Sequence, residues 1–254
     1  MDHNVTIGSL AGDGNVVLGG NNLTIGSNSL STTFSGVVQD FFAAGGSLTK
    51  IGSGTLNLTG DSTYTGNTNV NGGVLKVDGS ITSNTIVSHG GTLAGTGTVG
   101  GNVTNAGLVS PGDAPGTLTV NGSYTQASNG TLLIDIAGPN TGEFSVLDVL
   151  GNANLSGRLD PVLLDGFVPT IGESFTFLDY GAVTGTLFIF DRNIDNAMEH
   201  WEISYNPTNA ILTVVPGNVS VPDRESTLLL LTLSLFALVT YRQKCVSRVS
   251  LPMA

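Results

Sequence analysis

The sequence predicts an all-β chain, a right-handed parallel β-helix (solenoid) with a short C-terminal hydrophobic helix. Three observations predict it. Short stretches alternate apolar and polar residues, Gly and Asn pairs punctuate them, and the pattern returns every 18 or 19 residues. Alternation of period two places one set of side chains on each face of a strand. A unit this short cannot bury its own apolar face, so neighbouring units must stack.

The strands follow in order. Leu23-Thr24-Ile25, Thr55–Thr59, Val74–Val77 and Thr117–Val120 each set Leu, Ile or Val against Thr, Asn or Lys. Corners are expected at Gly19-Gly20-Asn21-Asn22, Gly72-Gly73, Gly90-Gly91 and Asn121-Gly122, because Gly and Asn tolerate the backbone of tight turns. Leu56 to Leu75 is nineteen residues, Leu75 to Leu93 eighteen, and Val99 to Leu118 nineteen, which predicts coils of two or three strands. Phe34–Ala44 is broken as a helix by Gly36 and by β-branched Val37-Val38. Further strands are expected at Ser145–Val149, Ser174–Leu178, Thr186–Phe190, Trp201–Tyr205 and Ile211–Val215. The expected division is 1–138, β-helix repeats; 139–216, further coils or a β cap beyond the turn Pro139–Gly142; and 217–254, a linker and C-terminal segment.

Composition agrees. Of 254 residues 36 are Gly, 11% are charged and 40% are hydrophobic, with a mean hydropathy of +0.24. That apolar fraction separates the chain from disordered polar sequences. The net charge is −11, unevenly spread: residues 1–220 hold 17 acids and four bases, whereas the rest holds two acids and four bases. An acidic body with scattered cations does not suit nucleic acid, since neutralising phosphates needs clustered Lys and Arg. The one cysteine, Cys245, excludes an intramolecular disulfide and a cysteine-based metal site. Met1-Asp2-His3-Asn4 has neither a basic nor an apolar leader, so either the protein stays inside or the sequence is a fragment or begins at a misplaced start, and the second is the expectation.

Gly54-Thr55-Leu56-Asn57-Leu58-Thr59-Gly60, then Tyr64-Thr65-Gly66-Asn67-Thr68, then Gly73-Val74-Leu75-Lys76-Val77 closely resembles the autotransporter-associated β-strand repeat, near residues 47–77. The resemblance extends more loosely over about 5–215. It implies a structural or adhesive passenger at the cell surface, in the outer membrane or secreted, in a Gram-negative-type bacterium. It implies no catalytic residues. Long faces of Thr, Asn and Ser on such a solenoid are expected to make weak, repeated contacts with glycans or extracellular-matrix chains.

The C-terminal segment differs. Val221-Pro222-Asp223 precedes the 14-residue uncharged run Leu228–Tyr241, and Arg242 and Lys244 follow. This resembles a PEP-type (PEP-CTERM) sorting signal of its Val-Pro-Asp variety, although Asp223-Arg224-Glu225-Ser226 replaces the Pro-Glu-Pro core. The resemblance implies an exosortase-type processing enzyme, with Val221, Pro222, Asp223, Arg242 and Lys244 as the sorting motif. It also implies membrane contact through residues 226–244, at least transiently. As a helix the run spans about 21 Å, and flanking cations extend its reach.

Candidate chemistry is sparse. There is no Gly-x-Ser-x-Gly elbow, and His3, His89 and His200 fall in no pattern, so they read as surface residues. The rival reading is a polysaccharide-active β-helix enzyme, a lyase or hydrolase, with Asp160, Asp165, Glu173 and Asp179 paired across coils. Against it, four bases over 220 positions make a poor site for an acidic sugar. Asp191, Asn193, Asp195, Glu199 and Glu202 match an EF-hand-like calcium spacing, but their flanks read as strands, and the expectation is no tight calcium site and no cofactor.

Overall fold

The structure is a computed structural model that describes residues 3–41, 44–189, 193–194 and 199–217. The predicted helix over 228–241 and the sorting motif at 221–223, 242 and 244 lie outside these residues, as do Asp191 and Asp195. The described residues contain strands and no α-helix, and none is therefore long and apolar enough to cross a membrane.

One complete coil shows the plan. Thr68–Val70 lies on a first sheet, Gly73–Val77 on a second and Ser80–Ile81 on a third. The next coil repeats this with Thr85–Val87, Gly91–Gly95 and Thr98–Val99, each pairing in parallel with its counterpart below. Among the described residues the three sheets hold nine, eight and nine strands. Each coil thus has three strands, at the upper end of the expectation. Leu56, Leu75 and Leu93 stack in register, matching the first two spacings read from the sequence. The third spacing is corrected: Val99 pairs with Val120, not Leu118. Because side chains alternate, an error of two residues leaves Leu118 facing inward, and it is fully buried.

The coil then widens. Val120 pairs with Val149, twenty-nine residues on, and Leu147 with Leu178, thirty-one on. Strands lengthen to Thr131–Ile136, Arg158–Leu163 and Ser174–Asp179, and the corner between the second and third sheets grows. That corner is two residues long at 59–60, 78–79 and 96–97, then spans 112–116, 137–145 and 164–173. Pro139–Gly142 lies inside the second of these loops, within a single coil. After Phe188–Ile189 the parallel pattern ends. Glu199–Tyr205 and Asn209–Pro216 form an antiparallel hairpin whose second strand pairs with Ser174–Asp179, closing the third sheet.

The core runs the length of the stack. Leu48, Leu56, Leu75, Val87, Leu93, Val99, Val109, Leu132 and Leu159 are buried. The wide end is filled by aromatic rings: Phe175 meets Phe144 at 5.4 Å, Trp201 at 5.8 Å and Phe167 at 6.3 Å, all edge-on. Where corners are pinched, coils touch through backbone. A Cβ on Gly60 would lie 2.2 Å from the Gly36 carbonyl oxygen, and one on Gly97 1.9 Å from that of Gly79. Glycine is required there by proximity rather than by its φ angle.

Candidate interaction surface

On the first sheet the outward positions stack in register as Thr6, Thr24, Thr49, Asn69, Ile86, Thr104, Thr125, Asn154 and Thr184. Strand spacing puts these about 4.8 Å apart. The column carries no charge, in a body that is strongly acidic elsewhere. Its edge is tied by side chains that reach one coil along. Asn84 Oδ1 accepts the Asn102 amide (2.8 Å), Asn102 Oδ1 accepts the Ser123 amide (2.8 Å), and Ser123 Oγ accepts the Asn152 amide (3.3 Å). The Asn and Thr residues therefore both present a polar face and satisfy corner amides that lack a ladder partner.

The second sheet carries a charged knot. Lys76 Nζ lies 3.1 Å from Asp78 and 2.9 Å from Asp113. Asp78 also accepts from Asn57 Nδ2 (2.9 Å) and from the Thr96 amide (3.2 Å). Burial works against ionisation of Asp78, but the bonds from Asn57, Lys76 and Thr96 outweigh it and hold its carboxyl below the usual value. The hydrogen bond that Lys76 donates to Asp113 is the main reason that its pKa is raised.

The structure does not bring Asp160, Asp165, Glu173 and Asp179 together. Asp160 is on the second sheet, bonded to Arg158 at 2.7 Å. Asp165 is an exposed loop residue, and Glu173 Oε2 accepts the Thr170 amide of its own loop. Asp179, on the third sheet, instead lies in register with Asp148, which the sequence reading did not single out. The signal was present as a repeated Leu-Asp at 147–148 and 178–179. The two carboxylates share an open groove of about 310 Å³ with Leu150, Tyr180 and Thr208. His3 and His89 are exposed, and His200 lies on the closing hairpin opposite Val215. Glu199 and Glu202 occupy one strand three residues apart, which points them to opposite faces. Among the described residues no three His, Cys, Asp or Glu side chains converge as metal ligands.

Burial, and then the neighbouring Asp148, push Asp179 above the ordinary aspartate value of 3.8. Burial raises Asp135 as well. Groups raised in the folded state contribute stability that is complete below the unfolded value and is lost as pH rises through the folded value. The urea midpoint is therefore expected to rise as pH falls from neutral toward 3.8, and to fall below that, where Asp78 loses its charge. Asp148→Asn is expected to raise stability at neutral pH by about 0.5 kcal/mol after solvent screening and to flatten the rise. The control is Asp13→Asn, an exposed site with the same change of charge. Equal pH profiles for the two variants would contradict this assignment.

Three buried polar groups escaped the sequence reading. Tyr124 Oη donates to Gln126 Oε1 (2.6 Å) and accepts from Asn105 Nδ2 (3.0 Å), all three residues being enclosed. Tyr64 Oη bonds Thr68 Oγ1, which bonds Ser83 Oγ, each at 2.5 Å. Lys50 points inward and donates to the carbonyls of Ile51 (2.7 Å), Gly52 (3.2 Å) and Gly72 (3.2 Å), with burial lowering its pKa.

These contacts explain a local pattern. Leu56, Leu58, Leu75 and Val77 fill the core, Gly54 and Gly60 abut carbonyls of the preceding coil, Gly73 turns at φ 60°, and Tyr64 needs the hydroxyl of Thr68. Residues 48–77 match the Passenger-associated-transport-repeat family. The repeat thus spans five strands, from the first sheet at Ser47–Lys50 to the second at Gly73–Val77.

The chain is also 42% identical over 113 residues to an extracellular serine protease of Serratia marcescens, covering 44% of this chain and 11% of that protein. It is 42% identical over 114 residues to the adhesin BmaC autotransporter of Brucella suis biovar 1 (strain 1330), covering 42% of this chain and 3% of the adhesin. The chain therefore spans about a tenth or less of the length of these relatives.

Proposed function

We propose that this chain is a passenger-like β-solenoid, exposed at the surface of a Gram-negative-type cell or secreted from it, that serves a structural or adhesive role without a chemical step. The observation that carries this reading is the passenger-associated-transport repeat lying within an unbroken parallel stack. The uncharged Thr and Asn column of the first sheet supports it. A row of like donors and acceptors suits weak, repeated contacts with glycans or matrix chains, in which avidity replaces a single pocket. The tail completes the proposal: residues 226–244 anchor the chain in a membrane, at least transiently, and an exosortase-type enzyme acts near Val221, Pro222 and Asp223, with Arg242 and Lys244 on the cytoplasmic side.

The test is fractionation of cells expressing the full chain or a form lacking residues 226–254. The full chain is expected in the membrane or, after cleavage, at the surface, and the shortened form in neither. Identical soluble localisation, with the tail intact by mass spectrometry, would overturn the anchoring. The Asp148 and Asp179 pair is the one feature that favours the rival polysaccharide-active reading. Turnover of any polysaccharide that Asp148→Asn or Asp179→Asn abolishes would replace the non-catalytic reading with that one.

A further inference from the structure

We propose that the three loops at the corner between the second and third sheets, residues 112–116, 137–145 and 164–173, form a docking surface for a basic polypeptide segment with exposed apolar side chains. From Leu108 onward the longest corners, of five, nine and ten residues, fall on this edge, against four at 127–130 between the first and second sheets. The corner between the third and first sheets shortens over the same coils, from 100–102 to 121–123, 150–151 and 180–181. In repeat architectures, insertions gathered on one edge mark the face that meets partners.

The loops are held in shape. Glu143 Oε2 accepts the Asn140 amide (3.0 Å) and Asn140 Nδ2 (2.8 Å), bracing the middle loop. Glu173 Oε2 accepts the Thr170 amide (2.9 Å), and the Gly172 amide donates to the Val214 carbonyl of the closing hairpin (2.9 Å). Phe167 turns in against Phe175 and Pro169 is buried, while Val168 and Ile171 are held outward with 59% and 55% of their surface exposed. Val168 is thus left in water between half-buried Phe167 and buried Pro169. Leu30 and Leu150 are as exposed, at 59% and 62%, but each stands alone at a different corner. Among the described residues, only here do two exposed apolar side chains share one braced loop.

Charge selects the partner. The three loops contain Asp113, Glu143, Asp165 and Glu173 and no Lys or Arg; Asp113 is already paired with Lys76, which leaves Glu143, Asp165 and Glu173 without a cation among the described residues. An acidic or lipid-phosphate surface is repelled, and a neutral glycan offers hydroxyl donors to the carboxylates but no opposite charge. A polypeptide that sets Lys or Arg around an apolar residue satisfies both features.

The probe is a short alternating Lys-Leu peptide, titrated against the full chain beside a Glu-Leu peptide and a neutral glucan fragment. The Lys-Leu peptide is expected to bind, weakening with salt. Val168→Ser with Ile171→Ser is expected to lower its affinity about tenfold, a loss of roughly 1.4 kcal/mol. The matched control, Leu30→Ser with Leu150→Ser, is expected to leave affinity within about twofold. All four side chains are exposed, so both variants should fold, which the fluorescence of Trp201, the one tryptophan, verifies. Equal losses in the two double variants, or none in either, would show attraction by overall charge alone and overturn the proposal. So would glucan binding that depends on Val168 and Ile171.

Discussion

Gly97→Ala is expected to destabilise the stack by about 3 kcal/mol, near the upper end for overpacking a tight site. The added Cβ would meet the Gly79 carbonyl oxygen at 1.9 Å and the Val77 carbonyl oxygen at 2.9 Å. Both obstacles are backbone, so no side chain can swing away. The corner must open, and Thr98 and Gly97 lose geometry in their bonds to Gly79 (2.9 Å) and Val77 (2.8 Å). Alanine also restricts the unfolded chain, which offsets part of the loss. Gly14→Ala is the control: nothing lies within 4 Å of its Cβ position, and its change should stay within about 0.5 kcal/mol. Urea unfolding followed by circular dichroism reads both. Similar midpoints for the two variants would mean that coils are not packed backbone to backbone at this corner.

Trp201→Ala is expected to cost about 4 kcal/mol, as for other buried aromatic truncations. Trp201 is buried on the closing hairpin, edge-on to Phe175, and removing it leaves the widest part of the core underfilled. The damage should be local. In a stacked repeat each unit touches only its neighbours, so the loss falls first on the last coils. Hydrogen exchange should speed up in Ser174–Asp179 and Asn209–Pro216 while Gly73–Val77 and Gly91–Gly95 keep their protection. Uniform loss of protection along the chain would show instead that the stack unfolds as a single unit.

Much of this architecture was legible because it follows from period two. Leu56, Leu75 and Leu93 announced the core and the register together, and a wrong partner for Val99 still left the correct face inside. The widening was not legible. It depends on loops such as 137–145 and 164–173, whose lengths follow no repeat, so the 18 to 19 residue spacing does not predict the register in which Asp148 meets Asp179. The buried polar groups were hidden for another reason. Tyr124, Asn105 and Gln126 look like surface residues in a polar sequence, and only three-dimensional proximity shows that each satisfies another. Lys50 likewise occupies an apolar position of its strand, between Ile25 and Val70 in the register.

The parallel ladders also decide how this unit bears load. In the parallel coils each strand lies across the direction in which coils are added, and its ladder partners sit one coil away. Tension applied along that direction opens one junction at a time, as a zip does, rather than shearing many hydrogen bonds at once. Rupture force is then set by the weakest junction between coils. Added coils would extend the reach of such a tether without making it stronger.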